Sequence, residues 1–406
     1  MSEHNSFIRN IYKKYYKKNY SLSSKNISKI YNNSNNSINI KNKIDKKLEI
    51  KYNLYIKGYN TIKMKKSKKI EINSYSLFIS PNEIDKNINY ATVYYNLNLI
   101  SICSIFNKVD MLKYIFKYNK EDSNINYLSS GFDKSKGYTE IYTSLMLACI
   151  YQNTDIVKEL LNNNADVNIE YRNNNKLCSY VQKYSVKTAL IYAVIYNNID
   201  ILKLLINNDT INLDIKDIHG NTALIYSCSI KDINIDIVKL LIDKNADIYS
   251  KNCDNTTALI YTCMFCNQYT NSHIETVKLL INKAKLNKET FIEYLNTQDK
   301  DGKTSLMYAC QNGSLDIVNL LVDNECYIDI QDIDGETSLM HACKNNYPLI
   351  VKKLLEKNPD IYIKDKSGKP ARSHIFNFSK NPKNTNNTYY YINKYIKNHP
   401  YTPRQI

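Results

Sequence analysis

What most limits the folds open to this chain is a phrase that returns. It reads Thr188-Ala-Leu-Ile-Tyr-Ala, Thr222-Ala-Leu-Ile-Tyr-Ser-Cys, Thr257-Ala-Leu-Ile-Tyr-Thr-Cys, Thr304-Ser-Leu-Met-Tyr-Ala-Cys and Thr337-Ser-Leu-Met-His-Ala-Cys. An earlier copy, Thr143-Ser-Leu-Met-Leu-Ala-Cys, opens the series. Each copy is followed by a second apolar phrase, such as Asp200-Ile-Leu-Lys-Leu-Leu-Ile or Asp316-Ile-Val-Asn-Leu-Leu-Val. The starts at 143, 188, 222, 257, 304 and 337 are separated by 45, 34, 35, 47 and 33 residues. A period near 33 predicts helix-turn-helix units that bury their apolar faces against one another, not around one centre.

Each unit is readable in physical terms. The Thr precedes a short helix and can cap the free amides of its first turn. Leu at Thr+2 and small residues at Thr+5 and Thr+6 make a stripe narrow enough for close helix stacking. The second helix opens on an acid, favoured at the positive helix N-terminus, and continues as Ile-Val-x-x-Leu-Leu. Asn-Ala-Asp at 164–166 and 245–247 turns the chain, and Gly220, Gly302, Gly335 and Gly368 stand two residues before the capping position, where a tight turn admits positive φ. Asn98-Leu-Ile-Ser-Ile-Cys-Ser and Asp110-Met-Leu-Lys-Tyr-Ile-Phe keep the phase without the Thr, as expected of a terminal unit with one neighbour. A last half-unit starts at Asp365-Lys-Ser-Gly-Lys-Pro-Ala-Arg. Extra residues at 171–184, 266–271 and 288–295 read as loops on one face.

Charge is divided unevenly. Residues 1–70 hold 18 Lys or Arg against three acids, most of the formal +16. The stretch after Lys369 adds six bases and no acid, which leaves the repeats between with 31 bases and 36 acids. We therefore expect a basic, Asn/Lys/Tyr-rich arm over 1–73, flexible by composition, a divergent capping repeat over 74–130, regular repeats over 131–370, and a cap with a basic tail over 371–406. The clusters Tyr12-Lys-Lys-Tyr-Tyr-Lys-Lys and Lys63-Met-Lys-Lys-Ser-Lys-Lys fit three readings: a solvated tail, a nuclear-import sequence (Lys63, Lys65, Lys66, Lys68, Lys69), or contact with nucleic acid or an acidic surface. No apolar run reaches the roughly 18–20 residues that span a bilayer, and the N-terminus lacks the apolar core of a secretion signal. A cytoplasmic, and alternatively nuclear, monomer is expected.

The ten cysteines do not pattern as a disulfide or metal framework. Cys149, Cys228, Cys263, Cys310 and Cys343 all fall at Thr+6, where a small apolar residue is required, so they read as buried thiols. Cys263-x-x-Cys266 with Cys253 nearby lacks the second pair that a zinc site needs. Tyr192, Tyr226, Tyr261, Tyr308 and His341 form a ladder at Thr+4, which reads as core packing, with a base-stacking platform as the other reading. Six scattered histidines and eight glycines offer no nucleophile set and no phosphate loop. No catalysis, metal or cofactor is expected.

These phrases resemble the ankyrin repeat, Asp-x-x-Gly-x-Thr-Pro-Leu-His-x-Ala-Ala followed by Ile-Val-x-x-Leu-Leu, over roughly residues 90–370. Asp332-Ile-Asp-Gly-Glu-Thr-Ser-Leu-Met-His-Ala-Cys matches most fully. Two departures are regular: Ala or Ser replaces the Pro, and Ile or Met replaces the His, which removes the family's Thr–His hydrogen bond. The Asn/Ile/Lys-rich flavour is similar to ankyrin proteins of large DNA viruses and AT-rich microbial eukaryotes. The resemblance implies an all-α solenoid of about six to seven units that binds another protein through its turn tips and the exposed ends of its first helices. Carried onto this chain, the first-helix positions are Ile150, Tyr151, Ile195, Tyr196, Ile230, Met264 and Phe265, and the tips are Ile218, His219, Ile333 and Asp334. Two other functions stay open: a nuclear, nucleic-acid-associated protein working through the arm, and a substrate adaptor of a ubiquitin ligase, although no F-box-like pattern follows Ser373.

Overall fold

The structure, a computed structural model, describes residues 92–95, 97–118, 124–133, 138–170, 187–266, 271–375 and 387–399. Helices occur in pairs, as the repeat phrase requires. They are α1 (Leu99–Phe106) with α2 (Val109–Tyr118), α3 (Ser144–Ile150) with α4 (Thr154–Asn162), and α5 (Ala189–Ile195) with α6 (Ile199–Ile206). Next come α7 (Ala223–Cys228) with α8 (Ile235–Asp243), and α9 (Ala258–Met264) with α10 (Asn271–Ala284). After an extra helix, α11 (Lys288–Leu295), follow α12 (Ser305–Asn312) with α13 (Leu315–Asp323) and α14 (Ser338–Lys344) with α15 (Pro348–Leu355). A 3-10 turn (Ala371–His374) and α16 (Thr388–Asn398) close the series.

Each first helix packs on the next first helix and each second helix on the next second helix, so two layers run the length of the array. The Thr caps behave as the sequence implies. Thr143, Thr188, Thr222, Thr257, Thr304 and Thr337 each accept the backbone N–H three residues on. Leu at Thr+2 and Cys or Val at Thr+6 are buried in every unit from α3 to α14, and buried apolar residues form one continuous core from Leu97 to Ile392. The fold is thus the expected helical solenoid, with seven helix pairs and a degenerate eighth.

The C-terminal sequence loses its repeat phrase but not its architecture. The 3-10 turn packs on α14 in the place of a first helix, and α16 packs on α15 in the place of a second. Ile392 is buried there, and Thr388 Oγ1 donates to Asn346 Oδ1 at 3.0 Å.

Two elements differ from expectation. A three-stranded antiparallel sheet stands at the N-terminal end, formed by β1 (Thr92–Tyr95), β2 (Ser129–Asp133) and β3 (Tyr138–Tyr142) in that order. Thr92 pairs with Asp133 and Ser129 with Tyr142. A hydroxyl triplet seats it: Ser101 Oγ on α1 lies 3.0 Å from Ser129 Oγ on β2 and 3.0 Å from Ser144 Oγ on α3. The sheet crosses the boundary expected at residue 130 and ties the first unit to the second. The insertion at 288–295, read as a loop, is the helix α11. Asn287 caps it, and Phe291, Tyr294 and Leu295 lie on one face, with Tyr294 and Leu295 buried. The insertion at 171–184 and most of that at 266–271 fall outside the described residues, as do residues 1–91 with all the Lys63–Lys69 positions.

The turn tips are linked in sequence by backbone hydrogen bonds: Cys253 N to His219 O (2.9 Å), Lys300 N to Asp254 O (2.8 Å), Ile333 N to Asp301 O (3.0 Å) and Lys366 N to Asp334 O (3.0 Å). This close approach explains the glycines. Gly302 has φ +71°, and a Cβ there would stand 2.8 Å from Ile333 N of the next tip. Gly368 has φ +76° but no following tip, and its Cβ would meet nothing. Gly302→Ala and Gly368→Ala should both lose about 1 kcal/mol to the left-handed backbone, while only Gly302→Ala also disrupts the tip linkage. Urea denaturation should therefore give a clearly lower midpoint for Gly302→Ala than for Gly368→Ala.

On α10, His273 is fully buried and neither ring nitrogen has a hydrogen-bond partner. Burial lowers its pKa below 6.5, against an opposing pull from Asp232. The folded state therefore favours the neutral ring, and stability from this site is complete above the unfolded value of 6.5 and lost as pH falls below it. Subtracting the melting profile of His273→Phe from that of the wild type should leave a decline that sets in as pH falls through 6.5.

Candidate functional site

The side of the array formed by the turn tips and first helices is organised by a polar residue five places before the Thr. Asp217 Oδ1 accepts the backbone N–H of His219 (2.9 Å) and Asn221 (2.8 Å), which closes the tip. Its other oxygen, Oδ2, accepts from Tyr226 Oη on α7 at 2.6 Å. Asp299 repeats the arrangement, with Asp301 N, Lys303 N and Tyr308 Oη at 3.0, 2.9 and 2.7 Å. In Asp332 the partners are Asp334 N, Glu336 N and His341 Nε2, the last at 2.9 Å. Asn252 substitutes in one unit, donating from Nδ2 to Tyr261 Oη at 3.1 Å.

The residues at Thr+4 therefore do more than fill the core. Each of Tyr226, Tyr261, Tyr308 and His341 reaches nine residues back to its own tip. Burial and then the Asp299 carboxylate push the Tyr308 phenol well above its ordinary pKa, so it stays a neutral donor. With the hydroxyls of Tyr226, Tyr261 and Tyr308 committed to the tips and the Tyr192 ring buried, these side chains offer no stacking platform.

The proposed contact residues separate by burial. Ile150 is only 8% exposed and belongs to the core, because it ends α3 facing the neighbouring helices. It drops out of the candidate surface. Tyr151, Ile230 and Met264 are half-buried and packed against the same core. Ile195, Tyr196 and Phe265 are exposed at the ends of α5 and α9, and Phe265 stacks on Tyr261 with ring centroids 6.2 Å apart. At the tips, Ile218, His219, Ile333 and Asp334 are exposed while their backbones are held by the tip-to-tip bonds. Of the ten large apolar residues exposed among the described residues, Ile195, Tyr196, Ile218, Phe265 and Ile333 are five.

Among the described residues, the cysteines form no cluster with metal-ligand spacing. Cys253 is exposed at a tip, while Cys263 and Cys266 are buried, with Cys266 Sγ donating to Cys263 O. Burial pushes Cys228 and Cys266 up to about 11 and Cys103 and Cys326 up to about 12, which keeps them as inert thiols. Side-chain clusters with ligand spacing do occur elsewhere, at Asp332, Glu336 and His341 and at Glu336, Asp365 and His374. The first lies within one unit and is closed by the tip turn, and the second joins consecutive units, so neither stands out in a single phrase of sequence.

A family model for ankyrin repeats in three copies matches residues 99–217, 171–252, 190–290, 230–332 and 264–365. Together these matches span well over half of the chain, which belongs to the ankyrin-repeat family. No curated protein matches its sequence. Among solved structures, the ankyrin repeat domain of Bcl-3, described as a unique member of the IkappaB protein family, is similar at 23% identity with a TM-score of 0.44. That match covers 57% of this chain and 93% of the other. Ankyrin repeats are in general protein-interaction modules and typically carry no catalysis. Among the described residues, no helix is long and apolar enough to cross a membrane.

The tip bonds differ in charge, and their cost of removal should differ accordingly. Tyr308→Phe strands a buried carboxylate oxygen and should cost about 1.5–3 kcal/mol. Tyr261→Phe loses only a neutral amide partner and should cost about 0.5–1.5 kcal/mol. Chemical denaturation of the two variants beside the wild type measures the order.

Proposed function

We propose that this protein is a non-catalytic scaffold that recognises another protein through its turn tips and the exposed ends of its first helices. The observation that carries this reading is the placement of Ile195, Tyr196, Phe265, Ile218 and Ile333. Large apolar side chains stand exposed on a backbone fixed by capping, tip bonds and stacking. Apolar groups held this way mark partner sites, because little ordering entropy is lost when they are covered. His219 and Asp334 lie beside the two tip isoleucines and supply the polar margin. Tyr151, Ile230 and Met264 support this surface from beneath.

In this reading the chain acts as a monomer in the cytoplasm or nucleus. Residues 1–73 form a basic arm, 74–130 an N-terminal cap, 131–370 the recognition array, and 371–406 the C-terminal cap and tail. The excess of bases before residue 70 supports a second role, in which the arm carries the protein to the nucleus or to an anionic surface.

Full-length protein and the double variant Ile195→Asp/Phe265→Asp, both nuclease-treated, separate these roles in affinity capture at two salt concentrations. The expected outcome is a partner that resists salt and is lost with the double variant, while the two proteins melt alike. A partner released by salt, and indifferent to the two substitutions, would overturn recognition by the array and assign binding to the arm.

A further inference from the structure

We propose that the junction between the last full repeat and the C-terminal cap is a binding site for one divalent transition-metal ion of the zinc class, held by Glu336, Asp365 and His374. The inference begins with a change in the ladder. The Thr+4 position is Tyr in four successive units, 192, 226, 261 and 308, and then His at 341 and at 374. The residue before the capping position is Lys187, Asn221, Thr256 or Lys303 in earlier units and an acid, Glu336, only here. Two histidines and an added carboxylate thus meet where the array ends.

The geometry distinguishes the two histidines. His341 Nε2 bonds Asp332 Oδ2 at 2.9 Å, the same bond that Tyr226 and Tyr308 make, so its place is explained by the repeat. Its Nδ1 faces Glu336 Oε2 at 3.5 Å. His374 is more than nine-tenths buried, and its Nε2 lies 3.1 Å from Asp365 Oδ2, yet that nitrogen makes no hydrogen bond. Asp365 Oδ1 is already filled by Ser367 N and Lys369 N, both at 2.8 Å, which leaves Oδ2 directed at the ring. A carboxylate oxygen and an imidazole nitrogen 3.1 Å apart, and not aligned as a hydrogen bond, have the spacing of neighbouring ligands. Around a tetrahedral zinc, neighbouring ligand atoms stand roughly 3.3 Å apart.

Glu336 completes the set. One ligand atom each from Glu336, Asp365 and His374 lies within 4.8 Å of the others, so small side-chain rotations close the triangle. Three protein ligands and an open fourth position for water suit a zinc-type ion, and imidazole with carboxylate disfavours magnesium and calcium. Asp332 and His341 stand behind Glu336 as the outer hydrogen-bonded shell that metal sites use to orient a ligand. The cation now on Glu336 is Lys344, with Nζ at 3.0 and 3.3 Å from its two oxygens. Its side chain is about half exposed and can swing into water as the ion enters. Because Glu336 belongs to the last full repeat, and Asp365 and His374 to the degenerate unit after it, bound metal would fasten the 3-10 turn to α14.

Full-length protein freed of metal by a chelator tests this, with Zn2+ as the probe in titration calorimetry, thermal melting and hydrogen exchange. The expected result is one ion per chain lost with His374, a raised melting midpoint, and slower exchange over residues 365–375. His374→Tyr installs the rung of the earlier units and removes the ligand, so it should melt like the wild type in chelator and fail to respond to Zn2+. Glu336→Gln should bind about 100-fold or more weakly, and it decides the matter if His374→Tyr is itself destabilised. An unmoved midpoint in the wild type, an unchanged response in both variants, or an equal rise with Mg2+ would overturn the site.

Discussion

The array depends on a polar side chain at the base of each well-formed tip. An aspartate such as Asp299 has one oxygen on two backbone amides of its own turn and the other on Tyr308. The first oxygen shapes the tip, and the second binds the tip to the helix that follows. Neither bond alone would hold a turn exposed to solvent, since the net value of a hydrogen bond is about 1 kcal/mol. Sharing one carboxylate makes the two cooperative, because losing the helix contact frees the group that closes the turn. Where Asn252 replaces the acid, the amide supplies a donor and an acceptor and the pattern survives with Tyr261 accepting.

From that anchor the order extends along the array. Each formed tip presents a carbonyl to the next tip's N–H, at Asp301 to Ile333 and Asp334 to Lys366. Gln298 and Gln331 reinforce the same step, each bonding a carbonyl of its own tip and one of the following unit. On the other side of the units, Asn168, Asp214, Asn296 and Asp329 each accept a backbone amide from the following repeat. Two polar lines therefore flank the apolar core between them. Their effect on recognition is to fix backbone while leaving side chains such as Ile218 and Ile333 unused. A surface of that kind is preorganised, and its choice of partner is set by a few exposed residues and not by the fold.

Nearly all of this architecture was legible in sequence, because the repeat phrase states it six times. The Thr caps, the Leu and Cys core positions and the turn glycines each follow from a local requirement that one unit satisfies alone. What escaped depends on pairs that no single phrase contains. The Tyr226–Asp217 bond links positions nine apart whose side chains meet only after the tip has turned. The β1–β2–β3 sheet joins residues on both sides of the first helix pair, and its strands are too short to stand out against the helical period. The segment 288–295 did show Phe291, Tyr294 and Leu295 at helical spacing, but the expectation that insertions become loops concealed it. Burial also separated neighbours that sequence could not: Ile150 and Ile195 share a phase, yet one is inside and the other exposed.

The end of the array poses a different physical problem from its middle. An internal unit is covered on both sides, so a neutral tyrosine hydroxyl suffices to tie tip to helix. Among the described residues, a 3-10 turn and α16 are all that follow α14 and α15 to shield the last core face, and Gly368 has no following tip to approach. The rungs there are histidines. Burial pushes the Asp332 carboxyl upward, but the hydrogen bonds from His341 and from the Glu336 and Asp334 amides prevail and hold it below the usual carboxylate range. Histidine differs from a neutral tyrosine as a rung because its ring nitrogens are good ligands for a transition-metal ion. Asp332, Glu336 and Asp365 gather round His341 and His374, so the final interface is lined by ionisable side chains where the earlier rungs are tyrosines. The Tyr-to-His change therefore coincides with the loss of a neighbour, and a single ion bridging the two units would supply the contact that the missing repeat does not.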